Sequence, residues 1–176
     1  MGLKMSSSIA IASGKGGVGK TTIAVNLSLT LCQMGSKVSL MDADFGLANA
    51  HILLGINPKR TIRDLLKNEL PLEDIIETGP SGLKFISGGN GLIDILNIEK
   101  NSKYQLIRAL DPIQKNTDYL LVDIPAGASD NSMTFASAVD KLIIVLVSEP
   151  TSFMDAYTFI KTAKLDHNIN HFSIVV

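Results

Sequence analysis

The 176-residue sequence contains one cysteine, no tryptophan and only 5% aromatic residues. Its 16 Lys and Arg nearly cancel its 17 Asp and Glu, leaving a formal net charge of −1. A lone Cys32 excludes an internal disulfide, a CxxC redox pair and a cysteine-built cluster within one chain, and it suits a reducing compartment. The charge balance excludes a broad basic surface for coating nucleic acid or anionic lipid, so no nucleic-acid partner is expected. The longest apolar run, Leu142 to Val147, has six residues, far short of the roughly 18 to 20 of a membrane-spanning helix. Ile9 to Ala12 is too short for a secretory signal core. Met-Gly-Leu-Lys-Met-Ser at the N-terminus fits the loose pattern for myristoylation at Gly2, but so short a pattern is common, and residues 1–7 read as a disordered lead-in. Internal repeats and low-complexity tracts are also lacking. What remains, 45% apolar and 19% charged residues, is the composition of a globular protein, with residues 8–176 forming one domain.

Short β-branched apolar runs alternate with longer stretches of helical period, the pattern of βαβ units on a mostly parallel sheet. Strands are expected at Ser8–Ala12, Lys37–Met41, Leu83–Ile86, Tyr119–Ile124, Leu142–Val147 and Phe172–Val176. The runs Leu120-Leu121-Val122 and Leu142 to Val147 are apolar at every position, as strands covered on both faces require. Helices are expected at Lys20–Met34, Thr61–Lys67, Leu72–Thr78, Ser102–Gln114, Asn131–Val139 and Thr151–Lys164, the first stopped by Gly35 as a left-handed cap. Gly55–Pro58, Gly79–Gly82 and Gly88–Gly91 read as loops. The sequence stops in an apolar strand with no closing turn or helix, so it is read as a piece of a longer protein.

Between the first strand and the first helix lies Gly14-Lys15-Gly16-Gly17-Val18-Gly19-Lys20-Thr21-Thr22, which satisfies the phosphate-loop spacing G-x-x-x-x-G-K-S/T. Glycines there let successive N–H groups curl around an anion, and the helix N-terminus adds partial positive charge. Lys20 is placed to reach β- and γ-phosphates, and the Thr21 hydroxyl to ligate Mg²⁺. Lys15, a second lysine inside the loop, could hold a cation against the γ-phosphate of its own nucleotide or of a second subunit's. The second strand ends in Asp42-Ala43-Asp44, two carboxylates at the edge where ligands bind in open parallel sheets. Asp44 is the better candidate for orienting an attacking water, while Asp42 is either a metal-side carboxylate or, equally, a helix cap or structural acceptor. Leu120-Leu121-Val122-Asp123 is an apolar strand closed by an aspartate, the usual form of the acidic residue that supports Mg²⁺. Gly127, four residues on, could bring its N–H to the γ-phosphate and register its loss. His51, His167 and His171 share no metal-binding spacing.

The loop Lys15-Gly16-Gly17-Val18-Gly19-Lys20-Thr21-Thr22 resembles the deviant Walker A loop of the MinD/ParA ATPases. Asp42 to Asn49 with Leu53-Leu54-Gly55, Gly88-Gly89-Asn90-Gly91, Glu149 to Ser152 and Asp155-Ala156-Tyr157 are most similar to the FlhG/FleN branch, MinD-like regulators of flagellar number and placement. Asp44 is followed by Phe45-Gly46, not by the Pro-Gln common in the DNA-partitioning branch. The resemblance implies a three-layer α/β P-loop fold and a slow ATPase that pairs as a homodimer in its Mg-ATP state. It implies that Lys15 reaches the partner's ATP, that Lys20 and Thr21 bind phosphate and Mg²⁺ in cis, that Asp44 positions water and that Asp123 supports the metal. Partners such as the flagellar GTPase FlhF are implied, in the cytoplasm or at the inner face of the cell membrane. The family's membrane helix and base-reading residues lie beyond Phe172–Val176. Met1 to Ser8 lacks the GTPase-stimulating motif often found in the flagellar branch, and Asp123-Ile124-Pro125-Ala126-Gly127 is closer to MinD itself.

Other functions on this fold are disfavoured by what is missing. Cluster carriers need cysteines near a dimer axis, whereas Cys32 falls in the first helix. The Asn-Lys-x-Asp signature of GTPases is absent, and Tyr104, Tyr119 and Tyr157 are scattered, unlike the tail of a bacterial tyrosine kinase. Two alternatives remain: a MinD/ParA-type ATPase for cell-division-site or cargo positioning, and a nucleotide-binding scaffold without turnover.

Overall fold

The computed structural model describes residues 6–46, 48–67, 70–89, 108 and 111–176. Seven strands form one sheet: β1 (Ser7–Ala12), β2 (Val38–Asp42), β3 (Ile76–Thr78), β4 (Lys84–Ser87), β5 (Tyr119–Asp123), β6 (Lys141–Val145) and β7 (Phe172–Val175). Their spatial order is β3-β4-β2-β5-β1-β6-β7, and every pairing is parallel except that of β3 with β4. Helices α1 (Lys20–Gln33), α2 (Ala50–Leu54), α3 (Ile62–Leu66), α4 (Asp111–Lys115), α5 (Asp130–Ser137) and α6 (Pro150–His167) connect them. This is the expected three-layer α/β fold.

Side chains alternate across the sheet, so each strand feeds two cores. Ile9 and Ile11 of β1 face a cluster with Val25 of α1, Leu40 and Phe85. Ala10 and Ala12 face the other, with Met41, Met133 and Phe135 of α5, and Phe159 of α6. Strands buried on both faces by helices on either side explain why the sequence of β5 and β6 reads as continuous apolar runs.

Local chemistry sets the helix ends. Gly35, at φ 89°, closes α1 as expected, with its N–H on Cys32 O and that of Ser36 on Leu31 O. Thr61 and Asp64 form a capping box on α3. Ser129 caps α5 through its hydroxyl, which accepts from Ser132 N at 3.2 Å.

Two elements depart from expectation. Leu72–Thr78 is not a helix: Pro71 leads into a single 3-10 turn at Leu72–Ile75, and Ile76–Thr78 is drawn into an antiparallel pairing with β4. Half-exposed β-branched residues beside an unfilled sheet edge favour the strand over another helical turn. Helix α2 has no counterpart among the expected helices: five residues are too few to show a period, and Gly55 at φ 66° is its left-handed end. The helix expected at Ser102–Gln114 falls mostly outside the described residues, with α4 its described end, and Leu47, Asn90 and Gly91 of the quoted motifs also lie outside them.

One contact locks the phosphate loop to the scaffold. A Cβ added at Gly14 would stand 2.2 Å from the backbone carbon of Asp155 in α6, so only glycine allows this approach. Gly14→Ala should therefore lower stability by about 1–3 kcal/mol, the range for overpacking a tight site. Urea unfolding of the nucleotide-free chain measures it, and an unshifted midpoint would contradict the packing of the loop on α6.

Candidate functional site

Parallel pairing sets the ends of four strands level. Asp123 of β5 is in register with Ile11 of β1 and with Asp42 of β2, and Asp42 is in register with Ser87 of β4. The loop Ser13–Gly19 leaves β1 at this edge, and α1 starts directly from Gly19, whose φ of 87° turns the chain into the helix. No side chain caps α1, so its first N–H groups point into the cleft as donors for an anion.

The cleft, about 460 Å³ in volume, is lined by Ser13, Gly16, Gly17, Gly19, Lys20, Thr21, Thr22, Asp44, Asn49, Ile52, Leu53 and Ala126. That volume is within the range of small-ligand sites. Most of the expected phosphate-loop residues thus line one cavity with Asp44. Val18 is buried in the core cluster beneath, and Gly14 is held against α6.

On the cleft floor the Lys20 ammonium forms a short ion pair with Asp123 Oδ1, the lysine side chain 8% exposed and the aspartate 0%. A buried pair of this kind is expensive to desolvate and weak as a stabilising device. Asp123 Oδ2 is buried with no hydrogen-bond partner. Burial pushes the Asp123 carboxyl above its ordinary range, opposed by the charge and hydrogen bond of Lys20 and by the Thr21 hydroxyl, with Asp44 adding to the rise. A cation on this side of the cleft would satisfy the orphaned oxygen. Among the described residues no three His, Cys, Asp or Glu side chains group into a cation cage. The site therefore fits Mg²⁺ carried in by phosphate oxygens, with one hydroxyl from Thr21 and outer carboxylates.

Asp42 spends both oxygens on the loop that follows it: Oδ1 accepts Asp44 N at 3.1 Å and Oδ2 accepts Ala50 N at 3.0 Å. Its carboxyl is pushed up to about 6, first by burial and further by the charge of Asp123, against the hydrogen bond from Ala50. The structural-acceptor reading of Asp42 thus has direct geometry, and the same position keeps it beside Asp123. Gly127, at φ 84°, donates its N–H to Ser13 O at 2.8 Å, joining the segment after β5 to the phosphate loop.

Lys15 points away from this floor. Its ammonium lies 3.0 Å from Glu149 Oε2 and 3.2 Å from Thr151 Oγ1 at the start of α6. The pair is exposed, 40% and 58% for the two side chains, and so adds at most about 1 kcal/mol. Sequence reasoning assigned no site residue to Glu149, Thr151, Asn49, Ile52 or Leu53. The latter three depend on α2, which only the cap at Gly55 announces.

The ParA family, described as NUBPL iron-transfer P-loop NTPase, matches residues 4–175. The antiactivator FleN of Pseudomonas aeruginosa is 40% identical over 167 residues, 95% of this chain and 60% of that protein. The flagellum site-determining protein YlxH of Helicobacter pylori is 37% identical over 153 residues, 87% of this chain and 52% of that protein. The chain therefore spans just over half the length of these relatives. The septum site-determining protein MinD of Pyrococcus horikoshii, solved with Mg-ADP, superposes with a TM-score of 0.79 at 28% identity, covering 97% of this chain and 68% of that one. No described helix is long and apolar enough to cross a membrane. Cys32, the single cysteine, packs from α1 against the core cluster under the cleft and is not among the cleft's lining residues.

The raised Asp42 carboxyl has a definite pH signature. An unfolded aspartate titrates near about 3.9. Between there and about 6 the folded Asp42 holds a proton that the unfolded one has released, so its contribution to stability falls as pH rises through this window and is level above it. Thermal unfolding of the metal-free, nucleotide-free chain between these limits should show that fall, and Asp42→Asn should make it shallower. A difference between the two proteins that does not vary with pH would contradict the burial-driven shift.

Proposed function

Because the chain belongs to the ParA family of P-loop NTPases, we propose that it is an ATP-driven switch. It binds Mg-ATP in the cleft, pairs with a second copy in that state, and hydrolyses the nucleotide slowly, so that turnover undoes the pair. The observation that carries this reading is the buried Lys20–Asp123 pair beneath the uncapped N-terminus of α1. Such an arrangement stabilises little by itself but supplies a cation and N–H donors for phosphate as soon as the lysine is released.

In this reading the loop from Gly14 to Thr22 wraps the phosphates with its N–H groups, and Lys20 turns from Asp123 to the β- and γ-phosphate oxygens. Mg²⁺, held by the Thr21 hydroxyl with Asp123 and Asp42 behind it, supplies charge neutralisation of those oxygens. Asp44, on the cleft wall, orients the attacking water by accepting its proton in a hydrogen bond. Gly127 N–H, now on Ser13 O, is within the same loop system and shifts toward the γ-phosphate. Lys15 gives up its weak exposed tie to Glu149 and crosses to the second copy's nucleotide, where a lysine ammonium stabilises charge developing in transfer.

The output follows the relatives of higher identity. FleN and YlxH, at 40% and 37%, favour a role in controlling flagellar number or placement over septum placement. The expected partner is a flagellar GTPase resembling FlhF that distinguishes the paired from the single state. The protein acts in the cytoplasm or at the inner face of the cell membrane.

Three variants separate these parts. Lys20→Ala should lose about 100-fold or more in Mg-ATP affinity by calorimetry, as expected for removing a charged hydrogen bond; retained tight binding would sink the phosphate-loop assignment. Asp44→Ala should bind ATP but stop phosphate release, and light scattering should find it dimeric in Mg-ATP and single in Mg-ADP. A single chain in both would favour a nucleotide-holding scaffold. Lys15→Ala should bind ATP like the parent yet fail to pair, and a dimer of this variant would overturn the crossing of Lys15.

A further inference from the structure

Asp44 lines the cleft, but the residues on either side of it are sealed in the core: Ala43 is 0% exposed and Phe45 1%. Ala43 N donates to Asp123 O at 2.9 Å, and Asp44 N to Asp42 Oδ1 at 3.1 Å. These bonds fix the loop from the strand side, and Phe45 fixes it from the far side. Two segments distant in sequence meet the Phe45 ring.

The first is Gly88, just past β4. A Cβ there would stand 2.5 Å from Asp42 O and 2.6 and 2.9 Å from two ring carbons of Phe45. Gly88 therefore leaves no room for a side chain between the end of β2 and the Phe45 ring. The second is Phe135 of α5, 2% exposed, whose ring centroid lies 5.7 Å from that of Phe45 at an interplanar angle of 54°. Tilted rings at this separation attract each other beyond their area of contact.

Helix α5 is not an independent support. Ser132 Oγ donates to Pro125 O at 3.1 Å, and Ser129 caps the helix two residues after Gly127. Segment 125–129 and α5 are thus joined, and Gly127 N–H ties the segment to Ser13 O of the phosphate loop. The contacts run in one chain, from the phosphate loop through Gly127 to α5, from Phe135 to Phe45, and from Phe45 to the adjacent Asp44.

We propose that Phe45, seated between Gly88 and Phe135, is a positioning residue that sets the reach of Asp44 into the cleft according to the position of segment 125–129. This rests on the ATPase reading above. When Gly127 leaves Ser13 for a γ-phosphate, α5 carries Phe135 with it, and the Phe45 ring, blocked by Gly88, translates that shift into a displacement of the Asp44 loop. Asp44 is then in place only while a γ-phosphate is bound. Packing of this kind is bistable at small displacements, and a misplacement of about 1 Å at a reacting group costs up to about 100-fold in rate.

The test uses the 176-residue chain as parent, Phe135→Leu, Gly88→Ala, and Phe85→Leu as a control. Phe85 is a fully buried phenylalanine on the opposite face of the sheet, in the cluster under α1. Two readouts are taken: steady-state phosphate release, and amide hydrogen exchange with Mg²⁺ and a non-hydrolysable ATP analogue. In the parent, the analogue should slow exchange in residues 14–22, 125–129 and 43–50. In Phe135→Leu the first two segments should stay protected while 43–50 is no longer slowed, and kcat should fall about 10- to 100-fold with KM within about threefold. Gly88→Ala should show the same kcat loss, so the inference stays testable if one variant does not fold. Phe85→Leu should lose stability but keep kcat and all three protected segments. If Phe135→Leu and Gly88→Ala behave like Phe85→Leu, the positioning of Asp44 through Phe45 is overturned. A parent chain with no protection at 14–22 would instead overturn the nucleotide reading itself, a separate result.

Discussion

The Lys20–Asp123 pair is the interaction around which the cleft is organised. Both groups are buried at the carboxyl edge of the sheet, where desolvation is costly and neighbouring like charges raise the cost further. Asp123 is pushed upward by its burial, and Asp42 beside it feels the Asp123 charge. Only Lys20 brings an opposing charge to this floor among the residues that shift them. A fold that keeps two carboxylates and one ammonium out of water holds an excess of negative charge and an unpaired Asp123 oxygen, which a divalent cation would relieve. A metal carried in with phosphate fits both needs, since Lys20 and the uncapped N-terminus of α1 are donors for the anion.

The sheet makes this imbalance possible. Parallel pairing at equal register brings Asp123 and Asp42 to the same level, and the crossover from β1 to β2 passes over β5, leaving the phosphate loop between them. Gly14 pressed on the α6 backbone and Gly88 pressed on the Asp42 carbonyl fix the two loops from opposite sides. Neither glycine can take a side chain without displacing the backbone it rests on.

Much of this was legible in the sequence. The phosphate loop reads at once, because its glycine spacing and its strand-to-helix setting are both local. The strands buried on both faces, β5 and β6, are also plain, since continuous apolar runs have one main explanation in a chain of alternating elements. Asp42, Asp44 and Asp123 could be picked out as carboxylates at strand ends, but not their division of labour. That Asp42 spends its oxygens on the N–H groups of Asp44 and Ala50 depends on partners two and eight positions further along the chain. Helix α2 and strand β3 were missed because each is too short to carry a period, and β3 exists only because β4 offers it an edge. The tie of Lys15 to Glu149 spans 134 positions, and no local signal encodes it.

The rim of the cleft differs from its floor. Ile52 and Leu53 of α2 are 67% and 52% exposed, an apolar lip above a charged base. Any surface that covers these two side chains expels water from the space beneath and lowers the dielectric around Lys20, Asp44 and whatever they hold. Electrostatic interactions there would strengthen severalfold with no change in distance. The lip thus converts an event of contact at the surface into a change of field strength at the floor, and access of water becomes a variable that this site can use.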